Sequence, residues 1–208
     1  MKTICDFNFK DEKALIRVDF NVPLENGRVT DSTRIRSAIP TILKIIKDGG
    51  ACILMSHLGR PNGFEDKFSL TQIKSELDHL LKIETKFCED CVGSIAEEMS
   101  NNLLMGEVLL LENLRFYNEE TEGDDEFSKK LSKLATCFVN DAFGTAHRPH
   151  ASTTVVAKYF ENKFFGKLLE KEVLALKKVM NNENSPILAV LGGSKISSKI
   201  PIIENIID

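Results

Sequence analysis

Short apolar runs alternate along this chain with longer stretches in which apolar residues recur every three or four positions. ALIRVDF (14–20), ACILMSHL (51–58), EVLLLENL (107–114) and CFVNDAF (137–143) are continuous and aliphatic, which predicts strands buried on both faces. TRIRSAIPTILKIIKDGG (33–50), SLTQIKSELDHLLK (69–82), CVGSIAEEMSNN (91–102) and DDEFSKKLSKLA (124–135) carry helical spacing between Ser, Thr or Asp starts and Gly stops. Strands alternating with helices imply right-handed βαβ units, hence a three-layer αβα fold around a parallel sheet. In such sheets ligands sit beyond the carboxyl ends of the strands.

A further amphipathic helix, GKLLEKEVLALKKVMNNENS (166–185), ends in polar residues, and PILAVLGGSKISSKI opens on a fresh strand. The expected division is a first domain over 1–165, a connecting helix over 166–185, and the start of a second domain over 186–208. A strand, a Gly-rich turn and a helix start are too little to bury a core, so that second domain is expected to be incomplete.

Composition changes this picture little. Hydrophobic residues at 42% and charged residues at 28% are ordinary for a globular chain. The net charge of −4, from 27 basic and 31 acidic residues well mixed, gives no field that would attract nucleic acid or a membrane surface. No apolar stretch nears the ~20 residues that span a bilayer, and the first residues do not resemble a signal peptide, so a cytoplasmic address is expected. The five scattered cysteines, including the Cys88–Cys91 CxxC pair, are read as reduced thiols without a zinc set. A monomer is expected.

Chemistry should stand just after the strands, and the unusual residues do. Asp19 and Asn21 close the first strand, and His57, Gly59 and Arg60 close the second. Arg115 follows the third strand, Arg148 follows CFVNDAFGTAH, and Arg34 comes early in a helix. Each alone is unremarkable. Clustered cations at one sheet edge of an acidic chain repel one another unless an anion joins them, and the guanidinium fork suits phosphate and carboxylate oxygens. A small, doubly anionic ligand is the inference. LGGSKISSK lacks the order of a P-loop, and no strand leads into a GxGxxG turn, which disfavours a nicotinamide enzyme. His147 and His150 of AHRPH have no carboxylate spaced to complete a metal site, and the acidic run EETEGDDE (119–126) reads as a solvated loop leading into a helix. A non-catalytic phosphate-binding module remains open as an alternative.

RVDFNVP (17–23), MSHLGRPNG (55–63), LLLENLRFY (109–117), FVNDAFGTAHRPHAS (138–152) and LGGSKISSKI (191–200) resemble, in order and spacing, the motifs of the phosphoglycerate kinases. The resemblance implies a Rossmann-like fold, the first of that family's two domains with the second truncated. It implies reversible phosphoryl transfer in glycolysis between ATP and the carboxylate of 3-phosphoglycerate, giving 1,3-bisphosphoglycerate and ADP, with Mg2+ bound to the nucleotide. It assigns the 3-phosphoglycerate site to Asp19, Phe20, Asn21, Arg34, His57, Leu58, Gly59, Arg60, Arg115 and Arg148. The nucleotide phosphates fall to Gly192, Gly193, Lys195 and Lys199, and the migrating phosphoryl group to Arg34, Lys195 and Lys199. Family members carry a complete second domain for the magnesium nucleotide, so this chain is expected to hold the substrate site and to lack activity alone.

Overall fold

A computed structural model describes residues 2–180. The chain divides into two compact units, Met1–Glu172 and Val173–Asp208. Residues 181–185 of the expected connecting helix and the whole 186–208 segment lie outside the described residues.

The strands are β1 (Lys13–Arg17), β2 (Leu24–Glu25), β3 (Arg28–Val29), β4 (Ala51–Met55), β5 (Lys86–Cys88), β6 (Val108–Leu111), β7 (Cys137–Asn140) and β8 (Lys163–Phe165). The helices are α1 (Thr33–Lys47), α2 (Thr71–Leu81), α3 (Ser94–Asn101), α4 (Asn118–Glu122), α5 (Asp125–Ser132) and α6 (Lys167–Met180). Six strands form one parallel sheet in the order β5-β6-β4-β1-β7-β8, and β2 with β3 makes a small antiparallel hairpin. The four strands expected within the described residues all lie in the sheet, each shorter than its apolar run.

Strand alternation divides the sheet's side chains between two cores. Ala14, Ile16, Cys52, Leu54, Val108, Leu110 and Val139 point to the side covered by α1 and α2, through Ile35, Ile42, Ile45, Ile73 and Leu77. Leu15, Ile53, Met55, Leu109, Leu111 and Phe138 point to the side covered by α3 and α5, through Ala96, Phe127 and Leu131. Continuous apolar runs are what a sheet covered on both faces requires. Each isoleucine that α1 buries completely contributes about 1.5–3 kcal/mol.

Strand order sets where a ligand can enter. From β1 the chain builds outward through β4 towards β6 and β5, then returns to lay β7 and β8 on the other side of β1. The switch point lies between β1 and β7, and a crevice outside the carboxyl ends follows there. At that end the loop after β7 also fixes the start of α6. Asp141 Oδ1 accepts from the Leu168 and Leu169 amides at 2.9 and 3.2 Å, capping the helix from another segment. Gly166 permits this closeness, since a Cβ there would stand 2.3 Å from the Asp141 carboxyl group.

Candidate active site

Every described side chain expected at the site belongs to a loop at this one sheet edge, except Arg34 on the first turn of α1. Three hydrogen-bonded ties draw the loops together. Asn21 Oδ1, after β1, accepts from the Gly59 amide at 2.8 Å, after β4. Arg115 Nη1, after β6, donates to the Gly59 carbonyl at 2.5 Å. Asn113 is fully buried and clamps the same turn: its Oδ1 accepts from the Leu58 and Arg115 amides, and its Nδ2 donates to the Leu58 and Phe68 carbonyls. Gly59 holds φ +63°, and a Cβ there would meet the Phe68 ring at 2.3 Å, so the turn requires glycine.

Three of the four expected arginines come together. Arg60, Arg115 and Arg148 line one cavity of about 300 Å³ together with Tyr117 and His150. Arg34 Nη1 donates to Asp19 Oδ2 at 2.6 Å, and Asp19 Oδ1 accepts from the Asn21 amide at 3.2 Å, so the carboxylate aims the arginine. Burial pushes the Arg115 guanidinium below its usual range, and Arg148, Arg17 and Arg60 push the same way. Like charges held this close favour an anion among them. A roomier groove of about 590 Å³, lined by Arg36, Ile39, Pro40, Leu43 and Lys44, gathers none of the expected site residues.

Phe20 and Leu58 belong to the site by position rather than by side chain, for both are buried in the core beneath α1 and α2. Their amides are also occupied, Phe20 N by Ser56 Oγ at 2.8 Å and Leu58 N by Asn113. They shape the loops that carry Asp19, Asn21 and Arg60. His57 is almost fully buried, and its Nδ1 lies 3.1 Å from Arg17 Nη2. Burial first, then the charges of Arg17, Arg115, Arg148 and Arg34, lower its pKa to about 2. His57 is a neutral imidazole throughout the physiological range.

Sequence reasoning singled out none of four residues that the fold places behind these loops: Arg17, Asn113, Glu120 and Ser152. Arg17 had a signal, because a charge inside the apolar run ALIRVDF must find buried partners. Its guanidinium is fully buried, donating from Nε to Ser152 Oγ at 2.8 Å and from Nη1 to the Val18 carbonyl. Glu120 corrects the solvated-loop reading of EETEGDDE: most of that run forms α4 and the start of α5, and Glu120 is fully buried against Ser152. Asp124 caps α5 by accepting from the Phe127 amide at 2.6 Å, which sets a carboxylate at the positive end of that helix.

The five cysteines are free thiols, four of them buried. Among the described residues no group of three or more His, Cys, Asp or Glu side chains could hold a metal ion. Also among them, no helix is long and apolar enough to cross a membrane. Gly192, Gly193, Lys195 and Lys199 lie outside the described residues.

Comparison with known proteins agrees with this geometry. The sequence profile of the family "Phosphoglycerate kinase" matches residues 4–208. A phosphoglycerate kinase of Porphyromonas gingivalis is 49% identical over 99% of this chain and 56% of its own length. One of Borrelia hermsii is 48% identical over 100% of this chain and 53% of its own. The crystal structure of the Pyrococcus horikoshii phosphoglycerate kinase superposes with a TM-score of 0.91 at 35% identity, covering 100% of this chain and 52% of that one. That of Coxiella burnetii gives 0.86 at 38% identity, over 98% and 51%. The chain spans about half the length of the relatives it matches. It belongs to the phosphoglycerate kinase family.

Proposed function

We propose that this chain is the substrate-binding part of a phosphoglycerate kinase. Its edge cavity takes 3-phosphoglycerate, and the complete enzyme transfers a phosphoryl group reversibly between ATP and the substrate carboxylate, yielding 1,3-bisphosphoglycerate and ADP. The observation that carries this is the meeting of Arg60, Arg115 and Arg148 around one small cavity in a protein of net negative charge. Two anionic ends, a phosphate and a carboxylate, answer that arrangement. The proposed setting is glycolysis in the cytoplasm, with the protein a monomer.

The carboxylate nucleophile, with a pKa near ~4, is already ionised at neutral pH, so no general base is needed. A permanently neutral His57 fits that requirement as a hydrogen-bonding residue. What remains is alignment and charge: Arg60, Arg115 and Arg148 orient the substrate, while Arg34 offsets charge on the metaphosphate-like group in flight. Gly192, Gly193, Lys195 and Lys199 are assigned to the nucleotide phosphates, with both lysines also acting on the migrating group. Mg2+ would travel with ATP or ADP on the nucleotide side and neutralise phosphate charge there.

The roles of two arginines test this. In an enzyme that joins this chain to a complete nucleotide half, Arg34→Ala should lower kcat by about 10²–10³, the loss typical when one donor to the transition-state charge is removed. Arg148→Ala should instead raise KM for 3-phosphoglycerate with a smaller change in kcat. Steady-state kinetics against both substrates decide it, and two variants that changed only KM would contradict the division of labour.

A further inference from the structure

A buried network among the described residues stands behind His57, and the reaction as proposed assigns it no role. Both oxygens of Glu120, on α4, accept from Ser152: Oε2 from its amide at 2.9 Å and Oε1 from its hydroxyl at 2.6 Å. His150 Nδ1 lies 3.8 Å from Oε1. The Ser152 oxygen itself accepts from Arg17 Nε at 2.8 Å, so its single proton is committed to Glu120. Arg17 then reaches His57 Nδ1 through Nη2 at 3.1 Å. A guanidinium only donates, so His57 Nδ1 must accept and the ring proton must sit on Nε2.

We infer that Glu120 is a positioning residue: through Ser152 and Arg17 it holds His57 as the Nε2–H tautomer, a hydrogen-bond donor in the loop that also carries Arg60. Arg17 is completely desolvated, and such a charge needs a compensating anion. Of the carboxylates near it, Glu120 exerts the larger pull and Asp19 the smaller. Asp19 is already engaged by Arg34, which leaves Glu120 to fix the guanidinium. Ser152 is well suited to the link, standing on a π-helical turn, Ala151–Val155, that brings its amide and its hydroxyl to one carboxylate. The neutral state of His57, forced by burial and four arginines, agrees with a fixed tautomer.

The inference deepens the substrate reading and rests on it for the purpose of the donor, but its test needs no substrate. Proton–nitrogen correlation spectra of the 15N-labelled protein report which ring nitrogen carries the proton. In the wild type His57 should show one bare nitrogen, Nδ1, and one protonated nitrogen, Nε2, at pH 7.5 and at pH 5.5. In Glu120→Gln and in Ser152→Ala both resonances should move towards a mixture of tautomers, with Glu120→Asp recovering part of the shift. Exposed His79 on α2 should not change. Ser152→Ala alters no charge and carries the test if Glu120→Gln does not fold. Folded variants whose His57 signals match the wild type would overturn the inference, as would a wild type bearing its proton on Nδ1. Titrating the same samples with 3-phosphoglycerate separates the two readings: a wild type that shows the tautomer and its loss in the variants but binds no substrate keeps this inference and removes the substrate assignment.

Discussion

The isolated 208-residue chain, supplied with ATP, magnesium and 3-phosphoglycerate, is expected to form ADP at no more than the background rate. Its described residues supply a cluster of cations around one small cavity. On the proposed reading the magnesium nucleotide is held by a second domain, and the chain spans only about half the length of its relatives. Phosphoryl transfer to an already ionised carboxylate leaves the protein little covalent chemistry to perform, so nearly all of its contribution is positioning and charge. Alignment of reacting groups is worth about 7–11 kcal/mol of barrier, and a chain that cannot align ATP against the carboxylate forfeits most of it. At about 1.36 kcal/mol per factor of ten, that is a loss of some five to eight orders of magnitude. A coupled assay of ADP formation measures it, with Lys199→Ala as the contamination control. Turnover approaching that of an intact kinase, abolished by Lys199→Ala, would contradict the expectation.

Arg17→Met should destabilise the protein by about 3–5 kcal/mol, the usual cost of removing one partner from a buried charged network. Methionine can fill much of the volume along β1 but cannot donate. Its introduction strands the His57 Nδ1 acceptor and the Val18 carbonyl, and leaves Glu120 buried with only Ser152 and distant cations. Adding Glu120→Gln to Arg17→Met should restore part of the stability, because the stranded carboxylate goes with it. The same variant tests the acid limb of stability. In the wild type the folded pKa of His57, about 2, lies far below its ordinary value of 6.5, so the unfolded state takes up the proton first. The contribution from His57 is therefore complete above pH 6.5 and is lost as pH falls below it, at up to about 1.4 kcal/mol per unit for one proton. Without Arg17, His57 is easier to protonate in the fold, and the loss should be shallower. Urea titrations at pH 7.5 and 5.5 give both quantities; an Arg17→Met protein within about 1 kcal/mol of the wild type would show that the network carries little stability.

The sheet was legible in the sequence because its central strands are apolar on both faces, and the site because Asp19, His57, Arg60, Arg115 and Arg148 all follow such strands. β5 and β8 were not legible. Each is three residues long, KFC and KFF, and lies at an edge of the sheet where one neighbour suffices, so neither makes a run that stands out from its surroundings. The β2–β3 hairpin is shorter still. The turn chemistry of HLGR was visible, yet its clamp was not, because Asn113 reads as the end of an apolar strand until its four hydrogen bonds are seen. The buried network was hidden for a different reason. Arg17 and Ser152 are 135 residues apart and Ser152 and Glu120 are 32 apart, so no local period or spacing links them. Glu120 stands among five other acidic residues in EETEGDDE, where its neighbours' solvation was the natural reading. Only the fold separates the one buried carboxylate from the exposed ones.

Calorimetric titration of the folded chain with 3-phosphoglycerate tests most directly whether the cavity lined by Arg60, Arg115 and Arg148 holds that ligand. Saturable binding in the millimolar range or tighter is predicted, weakened by added salt and lost in Arg148→Ala while Arg36→Ala, in the unrelated groove on α1, leaves it intact. No saturation at millimolar ligand with a demonstrably folded sample, or equal binding by wild type and Arg148→Ala, would contradict it.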